Sequence, residues 1–121
     1  MYQITIKKAF SAAHTLREIG GKCENLHGHN FTVEVTVSSE TLNAEGLVVD
    51  FRLLKGWTDE ALDLLDHSHL NDLPYFYDKN PSAENLARFI YEQLRAKVAS
   101  TGASLEMITV WESENARASY R

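Results

Sequence analysis

His27-Gly28-His29-Asn30-Phe31-Thr32-Val33-Glu34-Val35-Thr36-Val37 alternates with the two-residue period of a strand that turns one face to a core. The odd positions run His27, His29, Phe31, Val33, Val35 and Val37, so both histidines extend the apolar, inward face and not the wet one. Gly28 between them leaves room for another backbone or a ligand to approach. The first segment behaves alike on its even positions: Tyr2, Ile4, Ile6, then Phe10, Ala12 and His14, with Lys8 interrupting the series. Two strands therefore bring imidazoles to one end of a core, and buried imidazoles need partners.

Outward from that pair, the chain predicts strands over residues 1 to about 13 and about 28 to 38, joined by a loop that carries Gly20-Gly21 and then Cys23. Asp50 can cap a helix whose apolar positions Leu54, Trp57, Ala61, Leu62 and Leu65 recur at helical spacing, ending near Asp66-His67. A loop from about 68 to 81 follows. Ser82 caps a second helix, Glu84 suits its positive end, and Leu86, Phe89, Ile90, Leu94 and Val98 form its stripe before Gly102 stops it. Leu105 to Glu112 reads as a strand and Ala116 to Tyr120 as a short last one. The order β-β-α-α-β-β predicts an α+β domain over residues 1–121, an antiparallel sheet with both helices on one face. So small a sheet has two edges, and pairing with other copies around a ring would remove them, which predicts a symmetric oligomer.

The composition is that of an ordinary globular domain: 44% hydrophobic, 24% charged, 121 residues. No apolar stretch reaches membrane-spanning length and no secretory leader is visible, so cytoplasm is the expected compartment. One cysteine leaves no intrachain disulfide, which agrees with a reducing compartment and leaves Cys23 free to react. A net charge of −5 with no basic helix face argues against nucleic acid as a partner. Lys7, Lys8, Arg17, Lys22, Arg52 and Lys55 lie in the first half and read individually as solvated surface charge, with no phosphate clamp assigned.

The chemistry concentrates at His14, Cys23, His27 and His29. Three neutral imidazoles around zinc leave a tetrahedral position open, as in a catalytic site, whereas Cys23 as a fourth ligand would close a structural cage. A Cys23 that stays free beside a divalent ion would favour thiolate and could act as base or nucleophile. Competing readings are a polar turn or a core histidine cluster without metal. Asp66-His67, at the expected helix end, could form a proton-shuttling pair, but adjacent helical residues do not face each other, so their contact requires the chain to be leaving the helix there. His69 carries no role in this reading. Glu112, at a strand end, could take two hydrogen bonds from an N-C-N ring edge, although a solvated glutamate is the commoner case.

Phe10-Ser11-Ala12-Ala13-His14, Cys23-x3-His27-Gly28-His29-Asn30, Val49-Asp50-Phe51, Asp66-His67-x2-Leu70-Asn71, Pro81-Ser82-Ala83-Glu84-Asn85 and Trp111-Glu112, in this order, resemble the 6-pyruvoyltetrahydropterin synthase and 6-carboxytetrahydropterin synthase family. The resemblance covers nearly the whole chain; Ser82 replaces the threonine of many relatives and keeps the hydroxyl. Within the family, the three-residue gap before His27 is similar to that of the bacterial 6-carboxytetrahydropterin synthases of queuosine biosynthesis. The resemblance implies a T-fold, trimers whose sheets join into a barrel, and stacked hexamers with sites at subunit interfaces. It implies Zn2+ on His14, His27 and His29, a catalytic set of Cys23, Asp66 and His67, and a pterin held by Glu112. The implied substrate is 7,8-dihydroneopterin triphosphate, a small molecule, converted to 6-carboxytetrahydropterin, acetaldehyde and triphosphate. Alternatives are a 6-pyruvoyltetrahydropterin synthase or related pterin side-chain lyase, a hydrolytic zinc enzyme, and a non-catalytic zinc-stabilised binding module.

Overall fold

The computed structural model describes residues 1–121, with the side chain of Cys23 outside the described set. β1 (Tyr2–His14) and β2 (His27–Ser39) pair antiparallel along their whole length, from Tyr2 opposite Ser39 to His14 opposite His27. Their alternation in sequence becomes the two faces of this ribbon: Ile6, Phe10, Ala12 and His14 from β1 and Phe31, Val33, Val35 and Val37 from β2 are all buried. Lys8, which broke the β1 series, points to the same side and meets Asp59 of the first helix at 3.2 Å. Its long stem reaches the rim of the layer, so the charge does not have to enter the core.

The first helix, α1 (Phe51–Asp63), starts where Asp50 accepts the Arg52 backbone N–H at 2.8 Å. It buries Leu54, Ala61 and Leu62, and Leu65 just beyond it, while Trp57 is only partly buried. Thr58 takes a fully buried place instead, made tolerable because its hydroxyl donates to the Leu54 carbonyl at 2.8 Å. α1 also stops earlier than the sequence predicts, at Asp63 and not at Asp66-His67. The second helix, α2 (Ala83–Ala99), follows expectation: the Ser82 hydroxyl accepts the Asn85 N–H at 3.2 Å, and Leu86, Phe89, Ile90, Leu94 and Val98 are buried. Between the helices the predicted plain loop contains two short 3-10 turns, Leu70–Asp72 and Pro74–Phe76, that bury Leu70 and Phe76 completely. One turn is too short to show a periodic stripe, so this part of the core has no sequence signature.

β3 (Ser104–Ser113) pairs with β2, and β4 (Ala116–Tyr120) with β3, giving an antiparallel sheet in the order β1-β2-β3-β4. Both helices pack on one face, α1 towards β1 and α2 towards β3 and β4. The architecture is therefore the α+β arrangement expected. Two register shifts interrupt β3: Glu106 is the extra residue against β2, and Glu112 the extra residue against β4. A bulge of this kind re-aims the side chain that it carries. Among the described residues no helix is long and apolar enough to cross a membrane.

Candidate metal centre and active site

The cross-strand register brings His14 and His27 directly opposite at the ends of β1 and β2, and His29 opposite Ala12 one step inward. Parity sends all three rings to the helix side of the sheet, where their centroids lie 4.5 Å (His14 to His27), 5.1 Å (His14 to His29) and 4.8 Å (His27 to His29) apart. The bulge adds Glu112, and one ligand atom from each of these four side chains lies within 4.8 Å of every other. The expected trio is thus assembled, and beside it stands the carboxylate that the family resemblance implies for a pterin.

Each imidazole shows which nitrogen it leaves free. His14 is fully buried, and its Nδ1–H donates to the Pro81 carbonyl at 2.8 Å, so Nε2 faces the cluster with no hydrogen-bond partner among the described residues. Burial, first of all, holds its pKa below the ordinary imidazole value, and the positive charge that His27 could carry adds to this. The neutral ring that results is the form a metal needs. His27 is oriented through Nδ1, 2.7 Å from the Asn25 carbonyl. His29 Nε2 lies 3.1 Å from Glu112 Oε1, yet the pair lacks hydrogen-bond geometry and that nitrogen is also buried with no hydrogen-bond partner among the described residues. Two orphaned imidazole nitrogens aimed at a common point are costly in a protein interior unless a cation sits between them. Imidazoles locked through the opposite nitrogen by backbone carbonyls are the usual way to orient zinc ligands. The residues present therefore fit a divalent ion on His14, His27 and His29, with Glu112 within reach.

Beside this cluster lies an open depression of about 520 Å³, lined by Ser11, Gly28, His29, Asn30, His67 and His69 among others. A Cβ on Gly28 would meet only the Ala12 carbonyl at 3.7 Å, an ordinary contact, so no neighbouring backbone of this chain demands glycine there. His67 comes to the depression because the chain turns sharply after α1. Its φ is +55°, its N–H donates to the Ser11 carbonyl at 2.6 Å, and the Ala13 N–H donates to the Ser68 carbonyl at 2.9 Å, stitching this segment to the end of β1. Asp66 and His67 thereby satisfy the condition set by adjacency: the chain has left the helix, and His67 Nδ1 lies 3.0 Å from Asp66 Oδ2. The Ser11 backbone N–H, donating at 2.9 Å, and then the nearby His67 keep the Asp66 carboxyl below its usual pKa. α1 ends three residues before Asp66, so the Asp66-His67 pair lies beyond the helix terminus.

The backbone of Cys23 lies in a short 3-10 turn, Gly21–Glu24, on the loop before β2; the role expected of its thiol falls outside the described residues. His69, given no role from sequence, lines the depression with a buried Nε2 that has no hydrogen-bond partner among the described residues and an Nδ1 3.3 Å from Asp72. Nothing in the local sequence distinguishes it, since its place follows from the bridge that its backbone makes to Ala13. The basic residues of the first half do not converge. Lys8 meets Asp59, Arg52 meets Asp50, and Arg17 spends its guanidinium on backbone carbonyls.

Comparison with known proteins agrees with this geometry. A family model described as 6-pyruvoyl tetrahydropterin synthase matches residues 3–121. The 6-pyruvoyl tetrahydrobiopterin synthase of Homo sapiens is 37% identical over 127 residues, covering 93% of this chain and 86% of that protein. The 6-carboxy-5,6,7,8-tetrahydropterin synthase of Rickettsia bellii is 32% identical over 115 residues, covering 81% and 83%. Among solved structures, Caenorhabditis elegans 6-pyruvoyl tetrahydropterin synthase superposes with a TM-score of 0.85 at 29% identity, covering all of this chain and 96% of that one. The four-stranded sheet with two helices on one face is accordingly a T-fold. Architecture, cluster and sequence similarity extend over the same residues, and the chain belongs to the 6-pyruvoyl tetrahydropterin synthase family.

Proposed function

We propose that this protein is a zinc-dependent 6-carboxytetrahydropterin synthase. It converts 7,8-dihydroneopterin triphosphate, with water, to 6-carboxy-5,6,7,8-tetrahydropterin, acetaldehyde and triphosphate in queuosine biosynthesis. The observation that carries a metal-assisted reaction is the pair of buried ring nitrogens on His14 and His29 that have no hydrogen-bond partner among the described residues and lie in one cluster. The carboxy product is favoured by the three-residue spacing between Cys23 and His27 and by similarity to the Rickettsia bellii enzyme. The 37% identity to the human protein favours a second reading, pyruvoyltetrahydropterin synthesis at the same site.

His14, His27 and His29 would hold the ion, which would supply Lewis acidity to the hydroxyls of the substrate side chain and so acidify the neighbouring C–H and O–H groups. Cys23, as thiolate, takes a proton from that side chain. His67, steadied by Asp66 3.0 Å away, relays protons as the pterin ring is reduced internally, so no external redox cofactor is required. Glu112 anchors the N-C-N edge of the pterin; a carboxylate already turned towards the cluster by its bulge is within the same neighbourhood. The protein works as a homo-oligomer that pairs its two sheet edges. Incubation with dihydroneopterin triphosphate followed by mass spectrometry tests the reading: 6-carboxytetrahydropterin and acetaldehyde are expected, while 6-pyruvoyltetrahydropterin alone would replace it with the second.

A further inference from the structure

Arg17, three residues past His14, directs its guanidinium at main chain instead of at an acid. Its Nη2 donates to the carbonyls of Phe76 and Lys79, both at 2.6 Å. The same residue is tied by its backbone: its N–H donates to Asn80 Oδ1 at 2.8 Å and its carbonyl accepts from Asn80 Nδ2 at 3.0 Å. The Asn80 carbonyl in turn accepts from Asn85 Nδ2 at 2.8 Å, on the first turn of α2. The next residue is Pro81, whose carbonyl takes the Nδ1–H of His14. A parallel pair flanks this clamp, where Asn71 and the backbone of Thr15 exchange hydrogen bonds at 2.8 and 2.9 Å.

These contacts form one chain of connections from Arg17 to the metal ligand. Residues 77 to 82 carry no helix or strand that could fix a carbonyl by itself. The Pro81 carbonyl nevertheless has to stay within hydrogen-bond reach of a fully buried ring, because by accepting from Nδ1–H it leaves Nε2 as the proton-free nitrogen that faces the cluster. Both bonds leave one terminal nitrogen, Nη2, whose two N–H groups are fixed in the guanidinium plane and so hold the two carbonyls in a set relation. We propose that Arg17 is a positioning residue for the metal centre, acting through the 76–81 segment and the Pro81 carbonyl on His14. This inference rests on the reading of His14 as a metal ligand.

The test compares Arg17→Met, Arg17→Lys and His14→Ala with the unaltered protein, reading zinc affinity by competition with a chromophoric chelator and the visible spectrum of the cobalt-substituted protein. Arg17→Met is expected to weaken zinc about 10-fold, the lower end of what loss of an outer support costs a metal site, and to shift the cobalt bands. Arg17→Lys, which can still reach one carbonyl, is expected to recover part of the affinity. A lowered unfolding midpoint of the metal-free Arg17→Met protein with unchanged zinc affinity would mean a merely structural clamp and would overturn the proposal. If Arg17→Met does not fold, Asn80→Ala, which loosens the same segment, takes its place with the same two outcomes. Equal zinc binding by the unaltered protein and His14→Ala would instead defeat the ligand reading on which the proposal stands.

Discussion

Asp66 and His67 show how much a single backbone angle decides. With φ at +55°, His67 swings out of the helical path and back onto its neighbour's carboxylate, a conformation that non-glycine residues adopt only under constraint. The constraint is its own N–H, bound to Ser11. The Asp66 carboxyl titrates below its unfolded value, so its contribution to stability is complete above that value and is lost as pH falls through the lower, folded one. Acid unfolding of Asp66→Asn, followed by circular dichroism, is therefore expected to depend less steeply on pH below about 4 than that of the unaltered protein. Cys23 invites a sharper separation of roles. Cys23→Ala should retain zinc, measured by elemental analysis, while turnover falls roughly 10²–10⁴-fold, the range for a lost acid-base group. A zinc content that fell in step with activity would make the thiol a ligand. His14, His27 and His29 were legible in the sequence because strand parity alone puts them on the inward face; Glu112's place at the cluster was not, because it depends on a bulge whose register is set by β4.

At the scale of elements, the site is built from ends: the ends of β1 and β2, the stretch beyond α1 and the entry to α2. The Ser82 cap matters more than its single hydrogen bond suggests, since it begins α2 one residue after the carbonyl that orients His14. Ser82→Ala is expected to cost about 1 kcal/mol, lowering the thermal midpoint by roughly 3–5 °C in a domain of this size. Calorimetry on the metal-free protein checks this. The long strands and both helices were readable because each carries a stripe at its own period. The two 3-10 turns between the helices were not readable, although Leu70 and Phe76 are as buried as any residue, because a single turn has no period to detect. The early end of α1 escaped for a related reason: Leu65 continues the apolar spacing while the backbone has already departed from it.

At the scale of the whole molecule, the core and the histidine cluster are adjacent but separable. Phe31 and the valines of β2 pack with α1 and α2 in one apolar cluster, and the histidines meet it through Phe31, whose ring lies 5.6 Å from that of His14 and 5.5 Å from that of His29. Chelation should therefore leave a folded, inactive protein that still unfolds cooperatively, and unfolding of the metal-free chain at room temperature would identify a structural ion instead. Light scattering should find an oligomer, because the 13-residue β1 at one edge of the sheet is long enough to template pairing with another copy.

The alternation of His27 to Val37 and the stripes of the two helices already contained the fold class and the direction of the histidines, since both follow from local periodicity, while the family resemblance rested on the ordered motifs from Phe10–His14 to Trp111-Glu112. Only the folded chain decided which nitrogen each imidazole leaves free, that Glu112 joins them, and that His67 doubles back onto Asp66. The nitrogen left free on His14 and the return of His67 depend on hydrogen bonds between residues 55 or more apart, His14 to Pro81 and Ser11 to Asp66, which no period along the chain encodes, whereas Glu112 is placed by the bulge against β4.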